Sequence, residues 1–444
     1  MIDSRRTAQL GLVMAALMAG GAHALGQAVQ TPYLDAEHGI TIEELVTLAL
    51  QHSPDVAAAV ARVDIARGNV AQAALRANPS IKVGGATEIG GPDGQIVAGV
   101  SWPLELFRRD ARTDAARREA DVAVFDVRQR EWDLAAAVRR QAGITLAAIA
   151  RVGQLRQQNA AARDLRDLIA ASVQTGGRPR LDQDLADLDA RGLEAAVLRQ
   201  DGEVRSALIT LKGLIGLEPA ADLTLRRSLE EELAAVTPLT AARLEDQAAL
   251  ASAVAARPDV ARAAARISLA AAERHRAEQN GRFDIDLTAD YTRTDTSFPQ
   301  RGFQSDGTLA PVSNRFHMLS FGASLALPLL DRNQGAIGAA TASERAAGRD
   351  RAAVDLVART GLAAAVARWS AARQAVAIYT GGLRDLGART LTVVQETYRL
   401  GRGSLGDVLA ERRRLVEIDA SYTDLLRDLY EADVDVRYAL GVIR

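Results

Sequence analysis

The 444-residue chain is 48% hydrophobic but only 4% aromatic, and alanine supplies much of the apolar share. That composition suits long helices packed closely side by side rather than a thick aromatic core. Net charge is −2 from 54 basic and 56 acidic residues, interspersed without a basic patch, which argues against nucleic acid as the main partner. The absence of cysteine excludes disulfides, thiolate metal sites, a cysteine nucleophile and a lipidated N-terminus.

Arg5 and Arg6 precede an apolar run from Leu10 to Ala22, and Ala22-His23-Ala24 fits small-x-small cleavage. Residues 1–24 therefore read as a signal peptide. No later segment has the uninterrupted apolar length of a membrane helix, so any membrane span must be built of strands.

Prolines and glycines punctuate the rest. Pro54-Asp55-Val56 opens an alanine- and arginine-rich helix, and a strand pair follows over about 81–102. Ile81 to Ile89 alternates weakly, whereas Ile96, Ala98, Val100 and Trp102 line one face; Gly90 to Gly94 is the turn between them. From Leu104 to Thr175 the pattern is helical, with Gly143 and Gly153 as weak points, and it stops at Gly176-Gly177-Arg178-Pro179. A second helix over about 182–215 completes a long hairpin spanning 104–215. A connecting segment, 217–240, joins this first repeat (25–240) to the second (241–444).

The second repeat reuses the same order. Pro258-Asp259-Val260 opens its helix, and a strand pair follows over 283–327. Phe283 to Tyr291 alternates closely, and Leu319, Phe321, Ala323, Leu325 and Leu327 form a matching stripe. The polar stretch 295–314, with Pro299 and Pro311, reads as a loop between them. A matching long helical stretch is expected from Gln334 to Leu400, a reversal at Gly401-Arg402-Gly403-Ser404, and a last helix over 405–440, so that the hairpin covers about 333–440. Internal duplication of this kind governs the fold. Four strands per chain are too few for a membrane barrel of at least about eight, and lipid does not tolerate open strand edges, so the barrel must be shared between copies.

No constellation for catalysis or for a built-in metal or cofactor emerges. His38, His52, His275 and His317 lack ligand-like spacing. Gly401 to Gly406 matches G-x-G-x-x-G but follows a long helix instead of a strand, the wrong context for a dinucleotide. Asp284, Asp286 and Asp290 share one strand face with Thr288 and are expected to line barrel water, because aspartate is too costly to face lipid. Trp102, at a strand end, suits an interfacial aromatic girdle as well as ordinary packing.

Three segments carry a resemblance: Ser53-Pro54-Asp55-Val56, Leu327-Pro-Leu-Leu-Asp-Arg-Asn-Gln-Gly335 and Tyr398-Arg-Leu-Gly-Arg-Gly-Ser-Leu-Gly-Asp-Val-Leu409. In this order the mature chain resembles the TolC-like outer-membrane efflux family, and the second segment looks most like members serving heavy-metal exporters of the RND type. The resemblance implies a mainly α fold with a β-barrel part, in which long α-helical hairpins form a periplasmic α-barrel and a trimer shares a twelve-stranded transmembrane barrel. It implies a passive export duct in the outer membrane of a Gram-negative bacterium, not an enzyme and without cofactors. The implied partners are a periplasmic adaptor (membrane fusion protein), an inner-membrane RND transporter and outer-membrane lipid. Family members close the periplasmic end with an acidic constriction. The matching position here is Asp407, but where relatives carry a second aspartate one turn later this chain has Ala410 followed by Glu411. The counterpart in the first repeat is Asp182 or Gln183. The same resemblance assigns adaptor contact to Gly176, Gly177 and Arg178 and to Gly401, Arg402, Gly403 and Ser404. Multidrug efflux and type I secretion ducts share the fold, and a pore-less periplasmic helical adaptor or scaffold is the rival of another class.

Overall fold

The computed structural model describes residues 32–235 and 247–442. The expected signal peptide and part of the connecting segment, including Pro238, lie outside the described residues. In chain order the elements are α1 (Ile42–His52), α2 (Pro54–Ala74), β1 (Ser80–Thr87), β2 (Gly94–Pro103), α3 (Arg108–Gln174), α4 (Arg180–Ile215) and α5 (Leu229–Ala235). There follow α6 (Gln247–Ala255), α7 (Pro258–Asn280), β3 (Asp284–Phe303), β4 (Leu309–Ala326), α8 (Gln334–Ile378), a π turn (Tyr379–Leu383), α9 (Arg384–Arg399) and α10 (Leu405–Ala439). Helix, helix, strand, strand, long helix, helix thus occurs twice. Pro54 and Pro258 open equivalent helices, where the missing N–H costs nothing, and Val56 and Val260 are buried in both.

Two compact units divide the chain. One comprises the described residues of Met1–Ser53, Asp133–Gln247 and Leu362–Arg444, and contains both hairpin tips. Its core is lean: Ala135, Ala136, Ala142, Val138 and Val152 of α3 are sealed from solvent, as are Val204, Leu211 and Ile215 of α4. Gly143, a weak point by propensity, lies inside an unbroken helix because tertiary packing requires it: a Cβ there would stand 2.5 Å from the ring of Tyr430, itself only 2% exposed. α1 starts on a capping box, with the Thr41 side chain accepting from Glu44 N and the Glu44 carboxylate accepting from Thr41 N.

The other unit, Pro54–Trp132 and Ala248–Gly361, holds the sheet. Its strands lie in the order β1-β2-β3-β4, all neighbours antiparallel, and the β2–β3 pairing joins the two repeats. The expected loop over 295–314 is instead mostly strand, and the turn shrinks to residues 304–308, closed by Gln304 N donating to Thr308 O at 2.8 Å. The prolines that suggested a loop fit for two separate reasons. Pro299 falls in a bulge between Phe298 and Arg301, and Pro311 lies in β4, which among the described residues has a neighbour on one side only.

The second long helix departs from expectation too. It is broken at the π turn, where Gly382 adopts φ 126°, so Gln334–Leu400 is two helices joined by a kink. No described helix is long and apolar enough to cross a membrane.

Candidate channel wall and constriction

Strand alternation sorts the sheet into two chemically different faces. Directly opposed residues share a face, so Leu287 stands beside Trp102 and Ala323, Ala289 beside Val100 and Phe321, and Tyr291 beside Ala98 and Leu319. Ile81 and Val83 of β1 extend those rows. Over these rows the face is apolar and uncovered: Ile81, Val83 and Phe321 are 79%, 75% and 76% exposed. Each such side chain forgoes about 1.5–3 kcal/mol by staying in water, which no surface of this extent sustains without an apolar neighbour.

The opposite face is polar over the rows from Asp284 to Asp290, beyond which Met318 and Phe316 stand on it. Asp284, Asp286 and Asp290 stand on it with Thr288 and are opposed by Ala326, Ser324, Ser320 and Gly322. Asp290 lies over Gly99, where a Cβ would collide with its carboxylate, and Asp284 pairs with Arg108 at 3.7 Å. Among the described residues β1 and β4, the outer strands, have no second neighbour, and they run in opposite directions.

In the unit of the hairpin tips, both reversals use the same backbone device. Gly176 (φ 75°) donates to Val173 O and Gly177 to Ser172 O; Gly401 (φ 74°) donates to Tyr398 O and Arg402 to Thr397 O. These paired bonds satisfy the last carbonyls of α3 and α9 and need a left-handed residue at the first glycine. Leu405, Val408 and Leu409 of α10 then pack with Ile169, Ala186 and Tyr398, so the two tips share one small core.

At this core the structure brings together residues that the sequence left apart. The Arg178 guanidinium lies 3.8 Å from the Tyr398 ring centroid and donates to Tyr398 O at 3.2 Å. Asp182 pairs with Arg178 at 3.7 Å and accepts from the Tyr398 hydroxyl at 3.3 Å. Burial raises the tyrosine's pKa, so the hydroxyl stays a donor. Tyr398 was visible only as part of a motif; its position three residues before Gly401, on the last turn of α9, was the usable signal. Gln183 and Glu411 are half-buried.

Asp407 is exposed and occupied locally. Its carboxylate accepts from the Ser404 amide (3.0 Å) and hydroxyl (2.8 Å), while its own amide donates back to Ser404 Oγ, a capping box that starts α10. The Ser404 hydroxyl and amide hold its pKa below the usual carboxylate value. One turn on, Ala410 is exposed. Deeper in the same unit Arg412, 2% exposed, pairs with Asp189 at 3.1 Å and ties α10 to α4.

The chain matches a family described as outer membrane efflux protein over residues 45–217 and 230–442. Among solved structures, crystal structures of CusC are similar at 17% identity and a TM-score of 0.74, covering 91% of this chain and 92% of that one. VceC of Vibrio cholerae is similar at 18% identity and 0.69, covering 90% and 96%. The open-state MtrE channel of Neisseria gonorrhoeae is similar at 19% and 0.70, covering 90% and 88%. At these identities the likeness speaks for the fold. No curated protein sequence matches the chain.

Proposed function

We propose, for a chain that belongs to the outer membrane efflux protein family, that it is the passive exit duct of a tripartite export system, working as a trimer in the outer membrane with its helical hairpins in the periplasm. The observation that carries the reading is the four-stranded sheet with one uncovered apolar face, one aspartate-bearing polar face and two unpaired edges. Because β1 and β4 run in opposite directions, β4 of one copy can pair antiparallel with β1 of the next. Three copies give twelve strands, with the apolar face toward lipid and Asp284, Asp286 and Asp290 toward water.

The duct follows a signal peptide at 1–24 and consists of two repeats, 25–240 and 241–444. Its periplasmic end is closed by the tips. Asp407, with Asp182 or Gln183 and Glu411 nearby in sequence register, supplies the charge of the constriction, and symmetric copies of Asp407 would favour cations in a narrow pore. The Arg178–Tyr398–Asp182 contacts hold the two tips of each chain together in the closed state. The glycine tips, Gly176-Gly177-Arg178 and Gly401-Arg402-Gly403-Ser404, meet the periplasmic adaptor, and an inner-membrane RND transporter provides the energy. A pore-less scaffold would have no use for a sheet with one apolar and one polar face.

Heavy-metal cations are the proposed cargo, supported by the Leu327 to Gly335 segment; multidrug efflux and type I secretion are the alternatives. Growth of a deletion strain, with and without the gene restored, across metals and antibiotics tests this. Hypersensitivity to zinc, cobalt, cadmium or copper ions is expected. Sensitivity to drugs and detergents alone would overturn the metal cargo and keep the duct.

A further inference from the structure

The apolar face of the sheet ends, toward the β3–β4 turn, on a cluster of charge. Beyond the row of Tyr291 and Leu319, the next row on the same face pairs Arg293 with His317, and the one after pairs Asp295 with Arg315. Asp295 accepts from Arg293 Nη2 at 2.7 Å through one oxygen and from Arg315 Nε at 2.6 Å through the other. One carboxylate thus holds two guanidinium groups, which leaves the arginines in excess. The Tyr291 hydroxyl meets His317 Nδ1 at 2.6 Å, and their rings stack 6.0 Å apart, forming the boundary between the apolar rows and the charged ones.

The position of this boundary is what gives the cluster a ligand. At the other end of the apolar face Phe283 packs edge-on against Phe107, and Arg282 lies 4.8 Å from the Phe107 ring centroid. From Phe283, just before β3, to Arg293 is ten residue steps, about 34 Å along the chain at about 3.4 Å per residue. With a tilt of about 40°, that is about 26 Å along a membrane normal, the height of the apolar band of a membrane barrel. Arg293 and Arg315 therefore stand, on the lipid side, at the depth of lipid headgroups. Asp295 takes one donor from each arginine and Arg293 Nε is buried, so the remaining Nη groups of both arginines are the donors left for phosphate oxygens.

We propose that Arg293 and Arg315, spaced by Asp295, form a binding site for the phosphate of lipid headgroups in the outer leaflet. The inference rests on the barrel reading above. The site pins the outer edge of the barrel at a fixed depth, and a trimer would carry three.

The test uses the purified full-length protein in detergent, titrated with diphosphoryl lipid A and, separately, with its dephosphorylated form, binding being read by native mass spectrometry. Wild type should prefer the phosphorylated lipid about tenfold or more, and the preference should weaken with salt. R293Q/R315Q should lose most of it, while R293K/R315K, which keeps charge but not the fork, should retain part. Equal binding of both lipids by wild type would overturn the proposal without any variant. So would an undiminished preference in R293Q/R315Q, or displacement of the lipid by inorganic phosphate at matched phosphate concentration, which would indicate a free-anion site. Release of the protein from membranes by carbonate wash would instead overturn the barrel reading itself.

Discussion

Arg178 makes three different contacts at the tips, and their separation gives the first expectation. Tyr398→Phe removes only the hydroxyl bond to Asp182, whereas Arg178→Ala removes the ring contact, the bond to Tyr398 O and the ion pair. Single-channel conductance in planar bilayers should therefore rise slightly for Tyr398→Phe and clearly for Arg178→Ala. Equal leak from both would mean that the hydroxyl alone holds the tips. Gly143 illustrates packing at the same scale. Valine there places carbon where the Tyr430 ring lies, and overpacking a site this well sealed costs about 1–3 kcal/mol, read as a lower denaturation midpoint. For Asp407 the sign follows from its depressed pKa. The cap's contribution is complete above the carboxyl's unfolded pKa and is lost as pH falls through the lower folded value. The difference in melting temperature between wild type and Ser404→Ala should accordingly be largest near neutrality and shrink in acid. A constant difference would detach the cap from Asp407.

At the scale of elements, the two repeats are not equivalent. α3 runs unbroken through 67 residues, but its counterpart is split by the π turn, and the split is held by side chains. Tyr379 stacks on Tyr422, and Arg384 lies 4.2 Å from the Tyr422 ring centroid and pairs with Asp419 at 3.2 Å. Gly382, at φ 126°, is a conformation an L-residue reaches only at a cost of about 1–3 kcal/mol, while Gly381 has open space around it. Gly382→Ala should lower thermal stability and Gly381→Ala should not. If both behave alike, the kink is not fixed by that backbone angle. A helix broken in one repeat only gives that hairpin a place to bend that the other lacks.

For the whole molecule the decisive question is closure. Because the chain lacks cysteine, one pair can be added without competition: Ser80→Cys at the start of β1 and Ala326→Cys at the end of β4, the corresponding ends of the two unpaired edges. A bis-maleimide should then yield covalent dimers and trimers and nothing larger. A ladder continuing past three would contradict a closed trimer. Monomers alone would leave the edges without the neighbours that lipid demands.

Period-two apolar patterning, proline-free alanine-rich stretches and repeated Pro-Asp-Val starts were enough by themselves to determine four strands, two long hairpins and an internal duplication, because these are local consequences of backbone hydrogen bonding and side-chain period. The aspartate face of β3 was legible for the same reason. The extent of β3 and β4 was not: whether Pro299 and Pro311 end a strand depends on a bulge and on a free edge, which only strand pairing reveals. Nor was the meeting of Tyr398 with Arg178 and Asp182, which lie more than two hundred residues away in sequence. Tertiary structure also decided that Gly143 is a packing requirement in an unbroken helix while Gly382 marks a break. Propensity treats the two glycines alike; the Tyr430 ring distinguishes one and a backbone angle of 126° the other.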